Sequence, residues 1–271
     1  MLYPFEYHAP RQEKDLLQLL SESLGTAKLL AGGTDLLVDM RAGKIHPGKL
    51  IDIKKIKSYH EIDFDGGSGL SIGAAVRCID VMESALIRDR FPLLAGAASE
   101  LGSPQLRNRA TIMGNLCTAS PSADMAPLLL CMGARIRIAS LEGTREVDLG
   151  TFFTGVKATV LGPGEVAEAI LIPPSMAGAR GGHEKLKRIR GHDLALASVA
   201  LLRTDGRLRV AVGACAVTPL LLKEFAAGAT PEEVCTAARQ AIKPIDDLRA
   251  SGEYRAFMVD TFIRRLMAGA N

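Results

Sequence analysis

The ten residues K-L-L-A-G-G-T-D-L-L at positions 28–37 decide how the rest of the chain is read. Residues 28–30 (K-L-L) suit a short strand, and Leu36, Leu37 and Met40 then recur at helical spacing, so a strand passes through a glycine loop into a helix. Working back, Leu16, Leu17, Leu19, Leu20 and Leu24 line one face of an amphipathic helix that Gly25 stops. Working forward, the L-I-D-I run at 50–53 supplies a second strand and closes a small β-α-β unit. Ala31, Gly32, Gly33, Thr34 and Asp35 (loop 1), with Leu36 after them, then present small-residue backbone at a helix start, where unpaired N–H groups favour an anion. The plainer reading of the same residues is a tight turn.

From about residue 56 to 175 the texture becomes a glycine-marked α+β mixture: a G-G-S-G turn at 66–69, a strand at 70–72, helical patterns at 81–86 and 92–101, a helix at 125–132 and a strand at 135–138. Between them lies loop 2, residues 103–124, which is rich in Arg, Asn, Thr, Ser and Pro. A connection this long inside a compact domain usually serves function. Its Thr111, Gly114, Asn115, Thr118 and Asp124 carry groups able to bond ribityl, ribose or phosphate oxygens, or else to bond their own backbone and cap the next helix. The run G-P-G-E-V-A at 162–167 matches a dinucleotide fingerprint on paper, but it precedes a strand instead of following one and is read as a turn.

A third unit follows Pro173 and Pro174, with strand patterns at 194–202 and 208–217 around an Asp205-Gly206 hairpin turn. Thr230, Pro231 and Glu233 spell a capping box, and a last helix after Ser251 is expected to use Tyr254, Phe257, Met258, Phe262 and Leu266 as one face. The most basic stretch, 183–190 (H-E-K-L-K-R-I-R), reads as a solvated face or as the source of a lysine for a cofactor site.

Composition narrows the function classes. With 271 residues, 48% hydrophobic, 23% charged and a net charge of +3, the chain is a globular protein of two or three units with too little positive charge for nucleic-acid binding. Apolar runs fall far short of the roughly 20 residues a membrane span needs, and the first ten residues lack signal-peptide order, so a cytoplasmic location is expected. The five cysteines form no C-x-x-C pair, so no iron–sulfur or zinc site is expected here. P-loop, H-E-x-x-H and G-x-S-x-G motifs are absent from the sequence.

Taken in order, F-E-Y at 5–7, A-G-G-T-D-L-L at 31–37, R-N-R-A-T-I-x-G-N at 107–115, T-A-S-P-x-x-D at 118–124, F-F-T-G at 152–155, K-L-x-R-x-R-x-x-D-L-A-L at 185–196 and P-I-D-D-x-R at 244–249 resemble the flavoprotein (medium) subunit of the molybdenum hydroxylases. The resemblance spans nearly the whole chain. It implies an α+β chain: a two-part FAD-binding module of the vanillyl-alcohol-oxidase (PCMH) type over 1–56 and 57–174, then a C-terminal α/β flavoprotein domain over 175–271. It also implies non-covalent FAD, its pyrophosphate held by Ala31, Gly32, Gly33, Thr34, Asp35 and Leu36, the rest wrapped by Thr111, Gly114, Asn115, Thr118 and Asp124, with Lys185 near the flavin. No catalytic side chain is expected. The molybdenum cofactor and iron–sulfur clusters belong to partner subunits, and an external acceptor takes the electrons. One departure stands out: the family's T-I-G-G-N is T-I-M-G-N here, and a side chain at Met113 is expected to crowd the cofactor or alter the backbone. A cofactor-free scaffold and a stand-alone flavin oxidase of the same fold are the alternative functions.

Overall fold

The computed structural model describes residues 3–23, 25–189, 191–204 and 206–269, so Leu24, Arg190 and Asp205 of the sequence reading lie outside the described residues. Three sheets follow one another along the chain. The first is parallel, with β1 (Glu6–His8), β2 (Ala27–Leu30) and β3 (Lys49–Asp52) in the order β1-β3-β2. Helices α1 (Glu13–Glu22) and α2 (Leu36–Arg41) make the two crossovers. The three-residue β1 is missing from the sequence reading, because E-Y-H carries no apolar alternation. Parallel strands release their chain at one rim, so loop 1 leaves β2 on the same edge as the segment that follows β3.

The second sheet is antiparallel. It begins with β4 (Ile62–Asp65) and β5 (Gly69–Gly73), continues through β6 (Arg135–Ser140) and β7 (Gly143–Asp148), skips the small ribbon of β8 (Phe153–Gly155) and β9 (Ala158–Thr159), and takes in β10 (Val166–Ile172), in the order β4-β5-β10-β6-β7. Between β5 and β6 run six short helices: α3 (Cys78–Glu83), α4 (Ala85–Arg90), α5 (Pro92–Ser99), α6 (Pro104–Arg107), α7 (Ile112–Cys117) and α8 (Ala126–Cys131); α9 (Leu149–Phe152) follows β7. Two of these, α6 and α7, lie inside loop 2, which is therefore not an irregular connection. Ser103 caps α6 by accepting from the Leu106 N–H, with Pro104 at its first position. Thr111 caps α7 in the same way.

The third sheet is β11 (Arg180–Leu186), β12 (Ala197–Thr204), β13 (Arg207–Gly213), β14 (Leu220–Leu221) and β15 (Phe225–Ala226), with every pairing antiparallel. It is followed by α10 (Pro231–Ala241), which carries the Thr230–Glu233 capping box, and α11 (Gly252–Gly269). The expected α/β character of this unit is thus corrected to an antiparallel sheet with helices after it. Period-two alternation explains how the sheet is buried on both faces. Ala197, Val199, Leu201, Leu208, Val210 and Val212 pack with α10 and α11, whereas Ala200, Leu202 and Ala211 join the core that runs from Leu16 to Ile172. The wholly buried α8 supplies the opposing surface.

The face expected for α11 is also corrected. Its buried residues are Gly252, Arg255, Val259, Phe262, Ile263 and Met267, while Tyr254 and Phe257 are 46% and 63% exposed. Arg255 takes a core position because both ends of its guanidinium are bonded, to the Leu196 carbonyl and to Asp247. A hydrophobicity pattern alone assigns that position to the outside.

Candidate functional site

Loop 1 is held from beneath and left open above. The buried carboxylate of Asp52, at the end of β3, accepts from the Lys54 N–H (2.9 Å) and from the Tyr7 hydroxyl (2.7 Å), and it pairs with the Lys54 ammonium at 2.8 Å. Burial pushes this carboxyl up, but the bonds from Lys54 and Tyr7 outweigh it and hold Asp52 below the usual carboxylate range. Lys54 also donates to the Ala31 carbonyl at 3.0 Å, which ties the start of loop 1 to β3. Sequence reasoning missed Tyr7, Asp52 and Lys54. The one signal available was the D-I-K spacing that lets Asp52 cap the turn of residues 53–55.

Beyond Ala31 the backbone turns. Gly33 adopts φ +74°, a region side chains resist, and the Leu37 N–H donates to the Gly33 carbonyl. Among the described residues, no protein acceptor pairs with the N–H of Gly32, Gly33, Thr34, Asp35 or Leu36. Five consecutive donors without protein partners, on residues that are partly exposed, form a concavity suited to an anion.

Loop 2 reaches loop 1 at two points. A Cβ on Gly32 would lie 2.2 Å from the Arg109 carbonyl oxygen and 2.8 Å from the Ala110 Cα, so the two backbones touch only because residue 32 is glycine. The Thr118 hydroxyl lies 3.5 Å from Asp35 Oδ2 and 2.9 Å from the Gly114 carbonyl. The other loop-2 candidates work mainly on their own segment. Thr111 is buried, and its oxygen accepts the Gly114 N–H at 2.9 Å, so both are engaged in starting α7. Asn115 Oδ1 accepts from the Met125 N–H at 3.1 Å and fixes α8 against α7. Met113 does not crowd the loops: its side chain is 3% exposed within the main core, and its backbone is ordinary helix.

At the far end Asp124 meets Lys185. The ammonium lies 2.7 Å from Asp124 Oδ1 and donates to the Glu100 carbonyl at 3.3 Å, and the lysine side chain is only 2% exposed. The basic run is therefore not a solvated face over its first half. Strand alternation puts His183 and Lys185 on the side of β11 opposite Gly182, whose absent Cβ would strike Leu266 of α11. Burial pushes Asp124 above the usual carboxylate range even though Lys185 and Lys187 pull it down. Burial, aided by the Lys185 charge, lowers His183 to about 4, so its imidazole is neutral at pH 7. The candidates are thus joined by contacts in turn: loop 1 touches loop 2 at Gly32 and Asp35, and loop 2 meets β11 where Asp124 pairs with Lys185. A cavity of about 470 Å³ lined by Arg11, Glu13, Lys55 and Lys57 among others contains none of them.

The family profile described as the FAD binding domain in molybdopterin dehydrogenase matches residues 3–175 of this chain. The chain belongs to that family. Over 98% of its length it is 34% identical to the carbon monoxide dehydrogenase medium chain of Hydrogenophaga pseudoflava, covering 96% of that protein. It is 30% identical over 97% of its length to the xanthine dehydrogenase FAD-binding subunit of Escherichia coli O157:H7, covering 95% of it. Its backbone superimposes on a chain of the reconstituted CO dehydrogenase from Oligotropha carboxidovorans with a TM-score of 0.94 at 29% identity, covering 100% of this chain and 98% of that one. As a molybdenum-hydroxylase FAD subunit, the chain is an oxidoreductase component whose cofactor is FAD.

The residues present fit that cofactor. The unbonded loop-1 amides match a pyrophosphate in charge and donor count, and the loop-to-loop contact at Gly32 builds the wall beside them. Among the described residues no cluster of three or more His, Cys, Asp or Glu is able to hold a metal ion, and no helix is long and apolar enough to cross a membrane. All five cysteines are free. Burial pushes Cys117, at the end of α7 within loop 2, up to about 12.

Proposed function

We propose that this chain is the electron-transfer flavoprotein subunit of a molybdenum hydroxylase, passing electrons from iron–sulfur clusters of one partner subunit through FAD to an external acceptor, while a second partner oxidises substrate at its molybdenum cofactor. The observation that carries the reading is the row of five unpaired amides in loop 1, pressed against loop 2 through Gly32. In this reading the N–H groups of Gly32, Gly33, Thr34, Asp35 and Leu36 hold the pyrophosphate, and the Lys54–Ala31 bond keeps them in place. Asn115 and Thr118 line the middle of the cofactor's path. Thr111 and Gly114 act one step back by starting α7 at the right point. Asp124 and Lys185 bring a buried ion pair to the flavin end. Bound FAD supplies the redox chemistry; the protein orients it and sets its electrostatics. No side chain of this chain is assigned to substrate chemistry, and relatives named for carbon monoxide and for xanthine both share its architecture.

The cofactor is held without a covalent bond. A thiol as protonated as Cys117 is a poor nucleophile. The purified chain is expected to show a flavin spectrum, to release its FAD into the supernatant on acid precipitation, and to be bleached by dithionite but not by carbon monoxide or xanthine without partners. A chain that stays colourless after incubation with FAD overturns the cofactor assignment. One that oxidises a substrate by itself overturns the subunit assignment and favours a stand-alone oxidase.

A further inference from the structure

The late motif P-I-D-D-x-R at 244–249 lies outside both cofactor loops and folds onto the start of α11. Asp246 Oδ1 accepts the Gly252 N–H at 2.9 Å, and a Cβ on Gly252 would lie 2.9 Å from the Pro244 carbonyl oxygen, so the two segments meet backbone to backbone. Asp247 closes a turn by accepting the Arg249 and Ala250 N–H groups at 2.8 and 3.2 Å, and it also accepts from the Arg255 guanidinium at 2.8 Å. The other end of that guanidinium donates to the Leu196 carbonyl at 2.8 Å. Leu196 is buried, so its carbonyl needs a donor, and the planar fork of an arginine reaches carbonyl and carboxylate at once.

Leu196 also closes the ladder that holds Lys185. Strand β11 is the edge of the third sheet and pairs with β12 alone among the described residues, so one ladder fixes Lys185, opposite Ser198, and Leu186, opposite Ala197. Beyond that last pair the Leu196 N–H donates to the Leu186 carbonyl at 2.9 Å, the closing bond before the connection of residues 187–195. The neighbouring Ala195 carbonyl accepts the Ser122 hydroxyl of loop 2 at 3.2 Å. Residues 195–196 therefore join loop 2, β11 and α11 at one point. A strand with a single neighbour frays from its end when the closing bond is lost, and Lys185 is one residue from that bond. We propose that Asp247 and Arg255 are positioning residues for Lys185: by holding the Leu196 carbonyl they fix the end of β11, and with it the ammonium 2.7 Å from Asp124. This role rests on the reading of Lys185 as the cation at the flavin end.

The Asp124 carboxyl reports where the ammonium is. Burial pushes it up, Lys185 and then Lys187 pull it down, and Glu100, which pairs with Lys187 at 3.2 Å, pushes it up. When Lys185 withdraws, Asp124 loses its paired cation and its titration midpoint rises. Carboxyl-carbon NMR of the flavin-free full chain, labelled at aspartate, tests the idea on wild type, Asp247→Asn, Asp247→Ala, Arg255→Lys and Lys185→Met. Arg255→Lys keeps the charge but not the fork, and Asp247→Asn keeps an accepting oxygen that Asp247→Ala lacks. In Asp247→Ala and Arg255→Lys the Asp124 midpoint is expected to rise by about half a pH unit or more, and Leu196 N–H exchange protection to fall on the order of tenfold. Asp247→Asn is expected to stay near wild type. Added to Lys185→Met, Asp247→Ala is expected to move Asp124 no further. If Arg255→Lys does not fold, the partly exposed Asp247 carries the test. An Asp124 midpoint that stays at its wild-type value in the folded variants overturns the proposal whatever Leu196 does. So does an equal rise in the Lys185→Met background, or a rise in Asp247→Asn as large as in Asp247→Ala. No readout uses the flavin, so an unshifted Asp124 leaves the FAD reading standing, and the expected shifts in a chain that binds no FAD leave the positioning of Lys185 standing.

Discussion

Two aspartate–lysine pairs, one at each end of the candidate site, have nearly the same length and opposite behaviour. Asp52 and Lys54 lie 2.8 Å apart and two positions apart in sequence; Asp124 and Lys185 lie 2.7 Å apart and come from loop 2 and from β11. Asp52 is held below the usual carboxylate range, and Asp124 is pushed above it. The difference is in the donors. Asp52 accepts a backbone N–H and a tyrosine hydroxyl besides the lysine, whereas among the described residues the 2% exposed Lys185 is the one cation paired with Asp124. A single ammonium does not repay the desolvation of a carboxylate, and two further donors do.

The largest effect is expected where the pairs meet the loops. Gly32→Ala forces a methyl to within 2.2 Å of the Arg109 carbonyl oxygen, so loops 1 and 2 must part. FAD affinity, measured by fluorescence titration, is expected to fall on the order of a hundredfold or more, equivalent to about 3 kcal/mol. Gly33→Val acts through its φ of +74° and through Leu30 and Leu37, with a comparable loss. Retained affinity in both folded variants breaks the loop-1 assignment.

Next comes Lys185→Met, which leaves Asp124 buried without its close cation. Breaking a buried pair costs about 3–5 kcal/mol, but Asp124, already raised, escapes part of that by taking a proton. An acid raised further on folding loses its stabilising contribution as pH climbs, so the variant is expected to be close to wild type at pH 5 and clearly weaker at pH 8 in denaturant melts. Because the neutralised aspartate offsets the lost ammonium, the flavin potential is expected to fall less in Lys185→Met than it rises in Asp124→Asn, by spectroelectrochemical titration. Equal and opposite shifts would show that the two groups act as independent charges.

Asp52→Asn is expected to be milder, about 1–2 kcal/mol, since its partners are part-exposed and the asparagine oxygen still accepts a hydrogen bond. Here the pH dependence has the opposite sign. A carboxyl lowered on folding stabilises above its unfolded value and is lost as pH falls through the folded one, so the gap between wild type and variant is expected to close below about pH 4. The smallest effect is chemical: with its thiol pushed up to about 12, Cys117 is expected to react with iodoacetamide at pH 8 far more slowly than free cysteine, by mass spectrometry of the native chain.

Local signals in the sequence were read well where local physics builds the element. The strand–glycine–helix junction at 28–37, the Thr230–Glu233 box and the apolar run of α8 all depend on neighbours within four residues, and all three elements form. The errors share a different cause. Loop 2 looked irregular because Ser103 was read as the start of a polar loop and Thr111 as a possible ligand group, whereas both start helices. The α11 face was misassigned because Arg255 is drawn inward by Leu196 and Asp247, partners 59 and 8 positions away.

The sequence by itself determined that this chain carries a glycine loop and a polar loop in the order of a molybdenum-hydroxylase flavoprotein and no cysteine spacing for a cluster, because motif order and residue spacing are properties of the chain. Only the tertiary structure decided that Gly32 abuts Arg109 and that Lys185 is buried against Asp124. Whether a charge is solvated, paired or sharing a proton depends on the dielectric and the donors around it, and sheet packing brings those together from distant parts of the chain.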